Sequence, residues 1–119
     1  MKMHLFIKKI YTMEGDMRFI KPESLTKDSI ILDVRGSEEY AQERLELPHI
    51  LIKADEVNPD KFMAQYNPQG DKTINILCTS GGLASEVAEK FEEAGYSNVA
   101  VVVGGIIEAE YEGVRVLKN

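Results

Sequence analysis

The chain has 119 residues, of which 44% are hydrophobic and 29% charged, with a formal net charge of -6 and a pI near 4.9. This length suits one domain with its own hydrophobic core and is too short for two ordinary domains. The acidic balance argues against nucleic acid as a partner, because such surfaces need clustered Lys and Arg. No apolar run approaches the roughly 20 residues that a membrane-spanning helix requires, so we also expect no membrane partner.

Strand and helix signals alternate along the chain from Met17 onward. Ser29 to Val34 (SIILDV) predicts a short buried strand. Ser37 is the predicted cap of a helix that continues through Arg44, with acidic residues in its first turn where the helix dipole favours them. His49 to Ile52 (HILI) predicts the second strand.

A helix, a strand and a second helix are predicted next. Asn58-Pro59 is a strong helix start, because asparagine caps well and proline suits the first helical position, and this helix should reach Tyr66. Thr73 to Leu77 (TINIL) predicts a buried strand. A longer helix follows the strand and ends at Gly95 as a left-handed cap. Its predicted apolar face consists of Leu83, Ala84, Val87, Ala88, Phe91 and Ala94.

The last elements complete the alternation. Val99 to Val103 (VAVVV) is typical of a central parallel strand that is covered on both faces, and Gly104-Gly105 leads into a last short helix ending near Gly113. This order predicts an α/β fold with a mainly parallel central sheet flanked by helices on both faces. Residues 1–16 stand outside the alternation and are either an N-terminal arm or an extra strand. They lack the pattern of a secretory leader, so we expect a cytoplasmic location.

Cys78 is the single cysteine, and it comes directly after the predicted strand Thr73 to Leu77. Ligands of open α/β sheets bind beyond the carboxyl ends of the strands. Small residues after Cys78 allow the backbone to turn its N–H groups inward at a helix N-terminus, which stabilises an anion such as a thiolate. The spacing alone also allows Cys78 to be a buried apolar residue beside a tight turn. The candidate loop comprises Thr79, Ser80, Gly81, Gly82, Leu83 and Ala84.

Three segments, in this order and at this spacing, resemble the rhodanese (sulfurtransferase) family over about residues 17 to 116. They are ILDVR at 31–35 with EEY at 38–40, CTSG at 78–81, and VGGI at 103–106 closing with GVRV at 113–116. The resemblance implies a single rhodanese-like domain over residues 17–119. It also implies that Cys78 accepts sulfur, that neighbouring backbone amides hold the anionic persulfide, and that Asp33 and Arg35 are structural partners near the site.

The sequence departs from the family pattern at three places. Family members that use thiosulfate usually carry an arginine five residues after the cysteine, and this chain has Leu83 there. Leucine offers no hydrogen-bond donor, whereas arginine binds an oxyanion through two parallel bonds. The usual His-Ile-x-Gly segment is replaced by RLELP at 44–48, and Ala109 stands where a tryptophan is common. The first cation after the cysteine is Lys90, although Arg35 could approach through the fold.

The sequence therefore favours a sulfurtransferase or persulfide carrier. Cys78 would take sulfur from a sulfane-sulfur donor and pass it to a thiol or protein acceptor, with weak activity toward thiosulfate because of Leu83. A non-catalytic rhodanese-like binding module is the alternative. A phosphatase or arsenate reductase of related fold would need a loop arginine, and none lies between Cys78 and Arg115.

We expect neither a metal nor a nucleotide cofactor. The two histidines, His4 and His49, have no cysteine or histidine neighbour at the spacing of metal ligands. Neither glycine pair completes a phosphate-binding or dinucleotide-binding loop. The oligomeric state is not indicated by the sequence.

Overall fold

The computed structural model of the chain describes residues 17–119, and the expectation of an arm or extra strand at residues 1–16 lies outside this range. The described part contains two sheets. In the larger sheet the strand order is β1-β6-β5-β2-β4 with every neighbouring pair parallel, and β3 pairs with β7 in a separate antiparallel ladder. The strands are β1 Phe19–Ile20, β2 Ile30–Asp33, β3 Glu43–Leu45, β4 Ile50–Leu51, β5 Ile74–Leu77, β6 Val99–Val102 and β7 Val116–Lys118.

Helices cover both faces of the larger sheet. One apolar cluster joins β2, β5 and β6 to α2 and α3, and a second cluster on the opposite face includes residues of α4. This arrangement confirms the predicted α/β fold with a mainly parallel sheet between helices. The helices are α1 Ser37–Gln42, α2 Pro59–Tyr66, α3 Gly82–Glu93 and α4 Gly105–Tyr111, with short 3-10 turns at Pro22–Ser24 and Ala54–Glu56.

Strand β5 occupies the centre of the sheet, between β6 and β2. Ile74 and Ile76 pack with the α2 and α3 side, whereas Leu77 packs with Ile106 and Ala109 of α4, as alternate residues of a strand must. All four residues of β5 and all four of β6 are buried. The prediction of a strand covered on both faces is therefore confirmed for β6, which lies inside the sheet between β1 and β5.

The prediction for α1 was wrong at both ends. Ser37 is the first residue of the helix and does not cap it, and the helix ends at Gln42 rather than continuing through Arg44. The chain then becomes extended as β3, where Leu45 is buried and pairs with Val116 of β7. Burial of this leucine and the ladder with a distant segment outweigh the local tendency to continue the helix.

The boundaries of α2 agree with the sequence prediction. The Asn58 side chain accepts a hydrogen bond from the backbone N–H of Lys61 at 3.1 Å, and Pro59 is the first helical residue. The helix ends at Tyr66, as predicted. Asparagine satisfies one of the free N–H groups of the first turn, and proline lacks the N–H that would have no partner there.

Helix α3 ends as predicted, but its buried face contains fewer residues than the sequence predicted. Gly95 has a φ of +99°, and the backbone N–H of Tyr96 reaches back to the Phe91 carbonyl at 2.9 Å, which closes the helix with a left-handed glycine. Leu83 and Ala94 are exposed, although the helical spacing placed them on the apolar face. The residues of α3 that are buried are Ala84, Val87, Ala88 and Phe91.

Candidate active site

Cys78 lies immediately beyond the carboxyl end of β5, at the centre of the sheet. Its side chain is 3% exposed and packs in the core cluster shared with α3. The sulfur accepts two backbone hydrogen bonds, from the N–H of Gly81 at 2.9 Å and from the N–H of Ala84 at 3.4 Å. Burial alone would suit an apolar residue, but two amides directed at Sγ make a site for an anionic sulfur.

The turn after Cys78 depends on glycine. Gly81 has a φ of +113°, in the left-handed region that residues with a Cβ rarely adopt. Helix α3 starts at the next residue and has 12 residues, so Sγ sits at the positive end of its dipole. The amides and the helix end both favour negative charge on the sulfur.

The Cys78 loop rests on the first turn of α4. The N–H groups of Ile106 and Ile107 donate to the carbonyls of Cys78 and Thr79, at 2.9 and 3.3 Å. Gly105 has a φ of +62°, and a Cβ there would overlap the carbonyls of both Cys78 and Thr79. Sequence analysis placed Gly104-Gly105 at the entry to a helix and within the VGGI segment of the family resemblance, but it did not indicate a contact with the Cys78 loop. A glycine pair directly after a buried strand is a signal of close backbone approach that could have revealed this contact.

A buried ion pair occupies the carboxyl end of the neighbouring strand β2. Arg35 and Asp33 are 1% and 0% exposed, and the Nε and Nη2 atoms of Arg35 donate to the carboxylate over 2.9 to 3.2 Å. The Arg35 guanidinium also donates to the backbone carbonyls of Glu43 at 2.8 Å and Glu39 at 3.4 Å. Arg35 thus ties β2 to α1 and β3, and its charge is balanced by Asp33.

One charged contact of the loop was not apparent from the sequence. Thr79 Oγ1 donates to the Glu39 carboxylate at 3.3 Å, which brings a negative charge to the loop. Lys90 lies further along α3, where its Nζ donates to the carbonyls of Ala54 and Val57 at 3.2 and 3.4 Å. Leu83, in the first turn of α3, is 39% exposed. Within residues 17–119, Arg35 and Lys90 therefore both donate hydrogen bonds to groups outside the loop.

His49 makes two hydrogen bonds within the protein. Its Nδ1 donates to the Leu47 carbonyl at 2.7 Å, and its Nε2 is hydrogen-bonded to the Tyr40 hydroxyl at 2.8 Å. Residues 17–119 contain no group of three potential metal-ligating side chains. In the same range no helix has the length and apolarity needed to cross a membrane.

Comparison with known proteins gives a family match over most of the chain. The family model described as "Rhodanese-like domain" matches residues 21–109. "Protein HIGH ARSENIC CONTENT 1, mitochondrial" of Arabidopsis thaliana is 35% identical over 83 residues, which cover 62% of this chain and 48% of that protein. The chain therefore spans about half the length of this curated relative.

Solved structures share the fold. The rhodanese-like domain protein of Staphylococcus aureus is 28% identical, with a TM-score of 0.67, and the match covers 83% of this chain and 97% of that one. The thiosulfate sulfurtransferase of Pseudomonas aeruginosa has a TM-score of 0.75 at 18% identity, over 92% of this chain and 22% of that one. At this identity the second match bears on the fold alone.

Proposed function

Because the chain belongs to the rhodanese-like domain family, which includes sulfurtransferases, we propose that Cys78 accepts a sulfane sulfur and carries it as a persulfide. The observation that supports this most directly is the pair of backbone N–H groups, of Gly81 and Ala84, that point at Sγ from 2.9 and 3.4 Å. Both donors belong to the backbone and cost no side-chain reorganisation when charge develops on sulfur.

The loading step is a nucleophilic displacement at sulfur. The Cys78 thiolate attacks the outer sulfur of a donor persulfide, the new bond forms between Sγ and that sulfur, and the donor sulfur–sulfur bond breaks. The donor leaves as a thiolate, so one thiolate is consumed and one is released. The transferred sulfur keeps its oxidation state, and no external oxidant or reductant is needed.

Unloading is the same displacement with the partners exchanged. An acceptor thiolate attacks the terminal sulfur held on Cys78, and Cys78 leaves as a thiolate. Its departure is assisted by the amides of Gly81 and Ala84, because they stabilise the charge that returns to Sγ. We propose polysulfide or a persulfide-bearing protein as the donor and a thiol, free or on a protein, as the acceptor.

Thiosulfate is a poor substrate under this proposal. A dianion that leaves water must meet a cation or several donors, and the position five residues after Cys78 is held by Leu83. Arg35 is paired with Asp33, and Lys90 donates to backbone carbonyls. A persulfide has a single charge, on the atom next to Sγ, and backbone amides suffice for it.

A non-catalytic binding module is the second candidate, favoured by the exposed Leu83 at the loop position where thiosulfate-using members carry arginine. Intact mass spectrometry separates the two candidates. Reduced protein is incubated with polysulfide, beside the variant Cys78→Ser. We expect a gain of about 32 Da, one sulfur atom, in the wild type and none at the serine variant. A folded wild-type protein that gains no sulfur from polysulfide would support the binding module.

The name of the Arabidopsis relative refers to arsenic, so arsenate is a useful competing ligand. A cationic donor in the loop would strengthen the binding of a tetrahedral oxyanion, and Leu83 does not provide one. We therefore expect millimolar arsenate to leave the rate of Cys78 alkylation unchanged. Protection of Cys78 by arsenate would instead favour an oxyanion-binding function of the loop.

A further inference from the structure

Exposed apolar side chains border the Cys78 loop. Ile107 adjoins the loop, because its N–H donates to the Thr79 carbonyl, and its side chain is 57% exposed. Tyr111, one turn further along α4, is 83% exposed, and Leu83 in the first turn of α3 is 39% exposed. We call Leu83, Ile107 and Tyr111 the apolar rim. Single exposed apolar residues are ordinary, but a set of them beside one reactive group is typical of a contact surface.

Two acidic side chains lie on α1 and α4, the helices that contact the loop. The Glu39 carboxylate accepts from Thr79 Oγ1 at 3.3 Å. The Glu108 side chain lies against Gly104, where a Cβ would overlap it, and the backbone nitrogen of Gly104 lies 3.8 Å from the Cβ position of Gly81. We call Glu39 and Glu108 the acidic rim. The residues of the apolar rim and of the acidic rim therefore lie in the loop itself or on α1 and α4, the two helices that contact it.

Further acidic residues lie close to Glu108. Glu112 is hydrogen-bonded to Glu108 and also feels the negative charge of Glu23, and both effects raise the pKa of Glu112 above its ordinary value. The positive charge of Lys21 opposes this shift without cancelling it. Crowded carboxylates with incomplete compensation create a negative potential around Glu108.

We propose that this face docks a protein donor whose persulfide cysteine is flanked by basic and apolar residues. The inference rests on the proposed function and names its substrate class. Lys or Arg of such a donor would meet Glu39 and Glu108, while its apolar residues would cover Leu83, Ile107 and Tyr111. The same carboxylates repel a small free dianion, so charge selects between the two kinds of donor. Sulfur then moves by the displacement described above, with the donor cysteine leaving as a thiolate.

Matched peptide persulfides test the charge preference. Three synthetic peptides of equal length carry a central cysteine persulfide flanked by lysine and leucine, by serine, or by glutamate and leucine. The rate of sulfur gain at Cys78 is followed by intact mass at low and high salt. We expect the lysine peptide to react on the order of tenfold faster than the glutamate peptide at low salt, with the difference shrinking as salt is added.

The double variant Glu39→Gln/Glu108→Gln assigns the effect to the acidic rim, because glutamine keeps the size and the acceptor oxygen. It should slow loading from the lysine peptide and speed loading from anionic polysulfide. Glu86→Gln/Glu89→Gln, at exposed positions of α3, removes the same charge elsewhere and should keep the wild-type preference. Equal rates with lysine and glutamate peptides, while polysulfide still loads Cys78, would overturn the docking proposal alone. Failure of every donor would overturn the proposed function itself.

The serine peptide and the variant Ile107→Ser examine the apolar rim. Ile107 is more than half exposed, so its replacement should leave the fold intact, which circular dichroism checks. We expect loading from the lysine and leucine peptide to fall several-fold in Ile107→Ser, and loading from the serine peptide to change much less. An equal change in the loading rate for both peptides would show that the apolar rim is not part of the docking surface.

Discussion

The carboxyl ends of β2 and β5 lie side by side in the sheet, and negative charge is stabilised in a different way at each of them. After β2, Asp33 and Arg35 form a buried ion pair in which each residue balances the other. After β5, Cys78 is almost as deeply buried, but within residues 17–119 its sulfur has backbone donors and no side-chain cation. At the carboxyl ends of these two strands, a buried ion pair with a structural role therefore lies beside a loop whose backbone donors suit an anion.

Glu39 connects these two regions. Its backbone carbonyl accepts from Arg35 Nη1 at 3.4 Å, and its carboxylate accepts from Thr79 Oγ1 at 3.3 Å. The ion pair thus helps to hold α1, and α1 contacts the loop. Damage to the β2 cluster should therefore appear in the stability of the whole fold, whereas damage to the loop should appear first in sulfur loading.

The largest effect is expected for Asp33→Asn. It leaves the buried Arg35 without a counter-charge, and we expect the free energy of unfolding to fall by about 3–5 kcal/mol. Urea denaturation measures the change. Arg115→Gln is the control, because it breaks an ion pair with Glu46 whose side chains are 80% and 48% exposed, and it should cost about 1 kcal/mol or less. Similar losses in both variants would contradict the structural role of the buried pair.

Gly105→Ala should have the next largest effect. Its left-handed φ strains any residue with a Cβ, and that Cβ would also overlap the Cys78 and Thr79 carbonyls, so we expect a loss of roughly 2–3 kcal/mol together with slower sulfur loading. Gly113→Ala is matched to it, with a φ of +89° and open space around the Cβ position. It should lose about 1 kcal/mol and load sulfur normally. Equal losses of stability in the two variants would mean that the overlap with the loop carbonyls does not contribute to the effect of Gly105→Ala.

Leu83→Arg would give the β5 loop the cation that the β2 cluster already has. We expect thiosulfate:cyanide turnover to rise about tenfold, a barrier change of about 1.4 kcal/mol, because the guanidinium supplies two donors to the oxyanion. Leu83→Lys adds charge without the planar fork and should gain less, and Leu83→Gln should gain least. A folded arginine variant with unchanged turnover would show that this position does not face the substrate.

The smallest effect is expected for Thr79→Val, which removes the hydrogen bond between the loop and Glu39. The bond is exposed, so the free energy of unfolding should fall by only about 0.5 kcal/mol. Thr79→Ser keeps the hydroxyl and should match the wild type. Thermal unfolding followed by circular dichroism resolves this difference, and a loss above about 2 kcal/mol in the valine variant would show a closer coupling of the two regions than the structure indicates.

Sequence reasoning succeeded where the signals were local. The strand before Cys78 was predicted at Thr73 to Leu77 and is found at Ile74–Leu77, and the glycine cap at Gly95 lies where it was expected. A run of β-branched residues, a glycine stop and an asparagine cap each act within a few residues. Such signals can therefore be interpreted without knowledge of the rest of the fold.

Sequence reasoning failed where distant segments compete with local preference. Nothing near Arg44 indicates that Leu45 pairs with Val116, far along the chain, and the prediction therefore extended α1 too far. Leu83 fits the helical spacing of α3, but it lies in the first turn and is exposed among the described residues. Both errors concern burial, which depends on elements that are brought together only by the fold.

The sequence by itself determined the alternation of strands and helices, the family resemblance and the position of Cys78 after a buried strand, because each depends on residue order and spacing. Only the tertiary structure decided which groups surround that cysteine. In the folded protein Arg35 forms an ion pair with Asp33, and Lys90 donates to backbone carbonyls. Glu39 and Gly105 contact the loop. The physical reason is that charge balance and close backbone contact are properties of neighbours in space, and these neighbours come from segments far apart in the chain.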